Sequence, residues 1–409
     1  MNRLGDYCDV FSGYAFKAED LKVEGDIPVV KIGNISNGHG IILDENTQYV
    51  DMSFMSINKK YHISKGDILI SLTGSHINQP NSMVGRCCRH LEQAVYLLNQ
   101  RAGKIIPKDS VVKDFIYYLF QLNAIKYSVA NLAYGGANQV NVSPKDILRI
   151  KWEIPSVSVQ KTISSILSPF DIQIENNLKR IKLLEQVANN LYKEWFVRFR
   201  FPGYESVEFY HGIPQGWRYE SLNENQYCSV LPSGIKDFDG EKTYLATADV
   251  DGMRVVSHDT KITLENRPSR ANMQPVANSV WFAKMKDSRK LLLVDQDMTD
   301  LIDSTILSTG FTGLKVDTSA LYYVFCFLLS KQFDDTKNMF ANGSTQQALN
   351  NDRIRRIKLL IPDYRLVKQF NEIAHPIFSQ IYSLEQQIKL LTNQRDLLLP
   401  RLMSGKLSI

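Results

Sequence analysis

The sequence predicts an α+β protein in which two mixed α/β domains, related by pseudo-twofold symmetry, are joined by two long helices packed as an antiparallel coiled coil. Two observations support this fold class. The chain repeats itself at a distance of 207 residues, from Gly136 to Gly343. Each copy also ends in a heptad pattern of apolar residues, from Ile163 to Trp195 and from Phe370 to Leu402, which is typical of coiled-coil helices.

The repeat is strongest at the end of each half. Without gaps, residues 136–196 are identical to residues 343–403 at eighteen of sixty-one positions, whereas ordinary composition gives about four identities. The run from Ile181 to Leu184 recurs unchanged from Ile388 to Leu391. Solenoid repeats have periods of about 20 to 50 residues, so this repeat indicates two domain-sized halves.

The beginnings of the two halves are much less alike. Ile116 to Phe120 only resembles Leu321 to Phe325, and Leu97 to Arg101 has no good counterpart at Asp303 to Leu307. We therefore expect the last 60 or so residues of each half (the tails) to form a common frame, and the preceding residues of each half (the heads) to have individual functions. The predicted domains are a first module (1–157), a first helical region (158–200), a second module (201–364) and a second helical region (365–409).

Short β-prone runs bounded by turn residues predict the strands of the first module. They are Ile27 to Ile32, Ile68 to Leu72 and Gly103 to Ile106. A helix is expected from Val112 to about Ala130, followed by the glycine-rich loop 135–138. Ser143-Pro144 then predicts the start of a short helix, and Arg149 to Ile154 a strand. The second half repeats this order, with 342–345 as the matching loop.

Prolines define the predicted limits of the long helices. Ser168-Pro169 reads as an N-cap followed by a first-turn proline, so the first long helix is expected to begin there. Pro376 predicts a break at the same place in the second copy, and Pro400 predicts its end. Asn177 is a lone polar residue among the heptad positions, of the kind that fixes register.

Composition indicates a folded protein that works inside the cell. The 409 residues are 44% hydrophobic and 22% charged, and the net charge of +5 is compatible with a polyanionic partner. Five cysteines without CxxC spacing argue against a disulfide framework. The start carries no secretory signal, and the longest apolar stretch, Ala320 to Leu329, is about half of what crosses a bilayer. We expect a cytoplasmic protein without membrane contact.

The sequence contains no convincing catalytic or metal-binding motif. The dinucleotide, phosphate-loop and zinc-protease patterns are missing, and no histidine has a second ligand at metal spacing. Asp20-Leu21-Lys22 and Asp335-Thr336-Lys337 have the Asp-x-Lys form that nucleases use, but neither has a recognisable supporting acid. Recognition of a partner molecule therefore remains as the expected function. Two different modules on a pseudo-twofold scaffold suit duplex DNA, in which half-sites one helical turn apart lie about 34 Å from each other.

Several segments, in this order and within a tandem repeat, resemble the specificity subunit of type I restriction-modification systems. They are Leu4-Gly5-Asp6, Phe11-Ser12-Gly13, Gly66 to Ser71, Leu98 to Arg101, Val159 to Phe201, Gly216-Trp217 and Asn266 to Met273. The resemblance implies a non-catalytic subunit with two target-recognition domains. Each would read one half of an asymmetric bipartite sequence in double-stranded DNA, and the helices would set the spacer.

The same resemblance implies two kinds of protein partner. Two modification subunits would bind S-adenosylmethionine and methylate adenine, and two restriction subunits would use ATP and Mg. No cofactor is expected in this chain. Two alternatives stay open: a coiled-coil scaffold that binds proteins without DNA specificity, and an autonomous nuclease that uses the Asp-x-Lys triplets.

Polar and basic residues in loops at matched positions are the candidates for DNA contact. In the first half they are Ser71, Thr73, Ser75, Asn99, Gln100, Arg101, Asn138 and Gln139. In the second half they are Arg267, Arg270, Lys284, Lys286, Ser344, Thr345 and Gln346. The glycines Gly135, Gly136 and Gly343 are interpreted as letting the loop approach the phosphate backbone.

Overall fold

The computed structural model describes residues 2–38, 40–44, 46–76, 83–136, 139–257, 260–341 and 347–407. The chain forms two compact units. Unit 1 comprises residues 1–176 and 387–409, and unit 2 comprises residues 177–386. The boundary falls inside both long helices, so each unit contains one α/β module and a part of each helix.

Unit 1 is built on two four-stranded sheets. The first has the order Cys8–Ser12, Ala102–Pro107, Ile68–Ser71, Cys87–Arg89, with antiparallel neighbours. The second has the order Gln48–Val50, Ile27–Val30, Tyr96–Leu98, His62–Ile63, and its two middle strands are parallel. Smaller pairings join Tyr134–Gly136, Gln139–Asn141 and Thr73–Gly74 in one sheet and Asn2–Arg3 to Lys151–Trp152 in another.

Unit 2 repeats these two sheets strand for strand. Its first sheet has the order Cys228–Val230, Phe311–Val316, Ser279–Ala283, Leu291–Val294. Its second has the order Lys261–Ile262, Lys242–Leu245, Thr305–Ser308, Ala271–Met273, again with a parallel middle pair. The remaining pairs are Arg218–Ser221 with Lys358–Ile361, Phe209–Tyr210 with Ile213–Pro214, and Val250–Asp251 with Arg254–Val255. The duplication therefore extends into the heads, where identity is faint.

Short helices cover the sheets. In unit 1 they are Lys113–Gln121, Asn123–Asn131 and Pro144–Ile147. In unit 2 they are Thr299–Ser304, Leu321–Leu329, Lys331–Phe340 and Asn351–Ile354. The prediction of one helix from Val112 to Ala130 is wrong, because Leu122 is extended, with φ −62° and ψ 130°. Its buried side chain holds this break, and Ser330 makes the same break in unit 2.

The other predicted elements of the first module are present with shifted ends. The short helix at Ser143-Pro144 is confirmed, and the Ser143 hydroxyl accepts a hydrogen bond of 3.1 Å from the Asp146 amide. The strand expected from Arg149 to Ile154 is reduced to Lys151–Trp152, because only those residues face a partner strand.

The long helices are longer than predicted. The first is Val157–Tyr192, with 36 residues, and the second is Tyr364–Met403, with 40 residues. At about 1.5 Å per residue they measure about 54 and 60 Å. Pro169, Pro376 and Pro400 all lie inside helices, so the predicted start, break and end at these prolines are wrong. The first helix continues into a π-helical turn, Lys193–Val197.

Packing explains why Pro169 does not begin the first helix. Ile163 and Leu167 are 1% and 0% exposed in the core of unit 1. Burying two such side chains contributes about 3–6 kcal/mol, which matches or exceeds the cost of about 3 kcal/mol for an interior proline. Gln160 also fixes the first turns, since its Oε1 accepts from the Val112 amide at 2.9 Å and its Nε2 donates to the Pro155 carbonyl at 2.8 Å.

The two helices run antiparallel within each unit. In unit 1, Asp171 of the first helix binds Arg395 of the second at 2.7 Å. In unit 2, Trp195 lies 5.8 Å from Phe370 between ring centroids. Within unit 2 the charge of Glu185 also acts on Glu385, whereas Trp195, ten residues later, contacts Phe370, fifteen residues earlier. Within unit 1, Ile163 and Leu167 share a core with Leu399 and Leu402, beyond the Arg395 that binds Asp171. In both units the contacted residues of the second helix have lower numbers as the first helix advances, which is the pattern of antiparallel packing. The predicted α+β class is confirmed.

Candidate nucleic-acid interface

In unit 1, the turn 99–101 connects the two large sheets and lies beside the end of a buried strand. The Leu72 amide donates a hydrogen bond to the Arg101 carbonyl at 3.0 Å. The Leu72 carbonyl accepts one from the Val142 amide at 2.9 Å. Leu72 thus joins the turn on one side to the hairpin strand on the other, which brings the candidates from three separate sequence segments together.

Unit 2 has the same backbone register at this place. The Lys284 amide donates to the Gly310 carbonyl at 2.9 Å, and the Lys284 carbonyl accepts from the Leu349 amide at 2.9 Å. Lys284 is therefore the structural equivalent of Leu72, and Gly310 is the equivalent of Arg101. Sequence comparison had set Leu97 to Arg101 against 303–307, whereas the strand pairing sets it against 306–310.

The candidates of unit 1 divide by exposure. Gln100, Arg101 and Gln139 are exposed. Ser71, Thr73, Ser75 and Asn99 are 0%, 2%, 8% and 9% exposed, respectively. The placement therefore favours the three exposed residues for contact with a macromolecule. The assignment of all these residues to DNA binding stays a prediction, and Asn138 lies outside the described residues.

Two of the buried candidates support the turn itself. The Ser71 hydroxyl accepts from the Arg86 amide at 3.0 Å, and the Thr73 hydroxyl donates to Oδ1 of Asn141 at 2.7 Å. These bonds hold the strand end against its neighbours. A DNA contact through either hydroxyl would require the bond to be exchanged or shared.

Unit 2 contributes four described candidates. Arg267 is half-buried, and its Nη1 donates to the Ala271 carbonyl at 2.9 Å, so it shapes the loop that carries it. Arg270 is exposed, and Lys284 and Lys286 are half-buried. Burial lowers the pKa of Lys284, so a nearby anion would favour its charged form. Ser344, Thr345 and Gln346 lie outside the described residues, as does Gly343.

Basic residues also have structural roles at equivalent positions in the two units. Arg86 donates through Nη2 to the Ile32 carbonyl, and Lys290 donates through Nζ to the Thr247 carbonyl, both at 2.8 Å. Their own carbonyls accept from the last residue of the neighbouring strand in each unit, at 2.9 Å. Lys290 belongs to a basic stretch of the second half that also contains Arg267, Arg270, Lys284, Lys286 and Arg289. Its ammonium group is already engaged in supporting the loop.

Sequence reasoning missed Tyr134 and Asn141, which face each other across the hairpin and are both exposed. The signal was the neighbouring Gly135-Gly136, which sequence analysis assigns to a loop that approaches the phosphate backbone and not to a strand. Gly135 has φ +149°, and a Cβ there would lie 2.5 Å from the Gln139 carbonyl oxygen. The hairpin itself thus requires this glycine, and its 62% exposed tyrosine forms part of the surface beside the turn.

The described residues give no support to a metal-dependent active site or to the Asp-x-Lys triplets. Among them, no three His, Cys, Asp or Glu side chains are grouped so that they could hold a metal ion. The lysines of both Asp-x-Lys triplets pair with other acids: Lys22 with Asp51 at 2.7 Å and Lys337 with Asp334 at 3.2 Å. This gives the nuclease alternative no support. In the same described part of the chain, no helix has the length and apolarity to span a membrane.

Known proteins resemble the chain along most of its length. Residues 1–186 match the family model of the type I restriction modification DNA specificity domain. The type I restriction enzyme MjaIX specificity subunit of Methanocaldococcus jannaschii is 27% identical over 76% of this chain and 73% of its own length. The type I restriction enzyme HindI specificity subunit of Haemophilus influenzae is 24% identical over 85% of this chain and 88% of its own length.

A solved structure supports the fold. The S subunit of a type I restriction-modification system from M. genitalium aligns over 98% of this chain and 95% of its own, with a TM-score of 0.52 and 16% identity. The chain is therefore similar, over most of its length, to the specificity subunits of type I restriction-modification systems, and its residues 1–186 carry the match to their DNA specificity domain.

Proposed function

We propose that the module of unit 1 and the module of unit 2 each read one half of an asymmetric bipartite sequence in double-stranded DNA. The observation that carries this proposal is the shared backbone register with different side chains, since Leu72 in one module stands where Lys284 stands in the other. The same backbone arrangement in the two modules therefore presents two different side-chain surfaces. Such surfaces suit two different half-sites, whereas identical ones would suit a palindrome.

The long helices set the distance between the half-sites in this proposal. They also dock two modification subunits, which bind S-adenosylmethionine, and two restriction subunits, which use ATP and Mg. These subunits hold the chemistry, and the complex works in the cytoplasm. The most strongly repeated part of the sequence supports this docking, because Ile181 to Leu184 and Ile388 to Leu391 offer the same residues once in each long helix.

Binding of defined duplexes by the complex with its modification subunits tests the proposal. Methylation mapping of the host genome identifies the bipartite sequence, and three duplexes then compare the intact site with a site scrambled in either half. We expect tight binding to the intact site, a large loss with either scrambled half, and an affinity that falls steeply with salt. Equal affinity for all three duplexes would refute sequence recognition and favour the protein scaffold.

A further inference from the structure

The two units place a guanidinium group beside the same turn, but they use different residues to do so. In unit 1 the turn position itself is an exposed arginine, Arg101. In unit 2 the equivalent position is Gly310, which has no side chain. A Cβ at Gly310 would lie 3.4 Å from Nη2 of Arg270, so the guanidinium of Arg270 covers the place where a side chain at this position would begin.

The backbone holds Arg270 at this turn. Its carbonyl accepts a hydrogen bond of 2.8 Å from the Thr309 amide, the residue before Gly310. Arg270 is exposed, and neither its guanidinium nor that of Arg101 forms a hydrogen bond or ion pair with the described residues. Arg289, in the same basic stretch, differs: it donates to the Leu329 carbonyl at 3.2 Å and lies 3.6 Å from Asp334.

We propose that Arg101 and Arg270 are equivalent phosphate-binding residues, one in each module, that position the module on the DNA backbone. This inference rests on the proposed function. Two half-sites of different sequence have the phosphate backbone in common, but not their base edges. A positive charge that both modules keep beside the same turn, through residues from different segments, therefore fits the shared feature.

In this proposal the DNA sequence is recognised by residues at positions where the two modules carry side chains of different chemical type. Lys284 stands where unit 1 has Leu72, and the exposed Gln139 and Asn141 lie on the hairpin strand beside the turn. Phosphate contacts set register and orientation, and base-edge contacts carry the sequence information. This separates two positioning arginines from the residues that select bases.

Salt-dependent binding by Arg101→Ala and Arg270→Ala complexes, each assembled with the modification subunits, tests the proposal. The probes are the mapped bipartite duplex and a panel with every single base change in either half. We expect each variant to bind about tenfold more weakly and to lower the salt slope by about 1, with the ranking of the base panel unchanged. Lysine at either position should retain most of the affinity, because a point charge still binds phosphate.

Arg289→Ala is the matched control, and it should leave affinity and salt slope unchanged. A variant that loses discrimination at one base pair would show that its arginine reads a base, and an unchanged salt slope would exclude a phosphate contact. Either result overturns the inference. Failure of the wild-type complex to distinguish the mapped duplex from a scrambled one would instead refute the proposed function.

A transfer of the arginine tests the equivalence directly. Replacing Arg270 by Ala and Gly310 by Arg moves the charge to the position that it has in unit 1. A Cβ at residue 310 would lie 2.9 Å from Cγ2 of Thr247, so Thr247→Ser is added to remove that methyl group. The triple variant should regain the affinity and salt slope that Thr247→Ser/Arg270→Ala lacks. A triple variant that melts like the wild type but regains neither would contradict the equivalence.

Discussion

Replacing Arg395 by Met should destabilise unit 1, because it leaves a carboxylate behind in a largely buried site. The side chains of Arg395 and Asp171 are 6% and 17% exposed, and Nη1 lies 2.7 Å from Oδ1. Arg395 also binds Asp396 at 2.9 Å. Burial disfavours the charge on Arg395, but the attraction of Asp171 and Asp396 outweighs it and raises the pKa of the guanidinium above its ordinary value.

The expected loss follows from what Asp171 retains. Removing one partner of a buried pair costs about 3–5 kcal/mol. Asp171 still accepts a hydrogen bond of 2.7 Å from the Tyr118 hydroxyl and has some contact with water, so the lower end applies. A loss of about 3 kcal/mol makes opening of unit 1 about 150 times more frequent.

Hydrogen exchange measured by mass spectrometry resolves this effect by segment. Peptides from Lys113–Gln121 should exchange faster in Arg395→Met, while peptides from unit 2 should not change. Arg149→Met is the control in the same unit: that side chain is 71% exposed and lies 3.2 Å from Asp146, so its loss should cost less than about 1 kcal/mol. The double variant Asp171→Leu/Arg395→Met should recover much of the loss, because no isolated charge remains. Equal exchange in Arg395→Met and Arg149→Met would refute the reasoning.

Two further predictions concern the helices. A seven-residue insertion in each helix, after Leu184 and after Ile381, lengthens both helices by about 10 Å. It should widen the preferred spacer by about three base pairs, which methylation mapping measures. Altered half-site sequences with an unaltered spacer would contradict the role of the helices. Burial raises the pKa of Glu385 from 4.5 to about 7. The folded state therefore holds a proton that the unfolded state releases, and this contribution to stability is full below about pH 4.5 and lost as pH rises through about 7. Glu385→Gln should weaken the pH dependence of unit 2 opening, measured by hydrogen exchange between pH 5 and 8, and should raise the stability of unit 2 above pH 7. Replacement of the exposed Glu372 by Gln is the control. Identical pH profiles for the two variants would count against this account.

The sequence predicted the parts of the fold that depend on local pattern. The heptad spacing predicted two paired helices, and alternating β-prone runs predicted the strands around Ile27, Ile68 and Gly103. Helix limits failed where tertiary packing overrode a local signal. Pro169 reads as a helix start on its own, and only the burial of Ile163 and Leu167 in the sheet-bearing core shows that the helix begins earlier.

The candidate surface was predictable in part for the same reason. Loop position and polarity identified Gln100, Arg101 and Gln139, which are exposed. The same criteria also selected Ser71 and Thr73, because composition does not reveal which hydroxyl bonds to the backbone or to Asn141. Burial is a property of neighbours that lie far away in the chain.

The relation between Arg101 and Arg270 shows why alignment of the two halves was not enough. The spacing of 207 residues that fits the tails sets Arg101 against Ser308, two residues from its structural equivalent Gly310. No alignment would pair Arg101 with Arg270, because they lie on different segments and meet one turn only through folding. Arginines from different segments that reach the equivalent position in each module indicate that the position has the same role in both modules. Leu72 and Lys284, which occupy the equivalent position in the two modules, differ in charge and polarity, so in the proposed function this position is free to vary with the bases that each module binds.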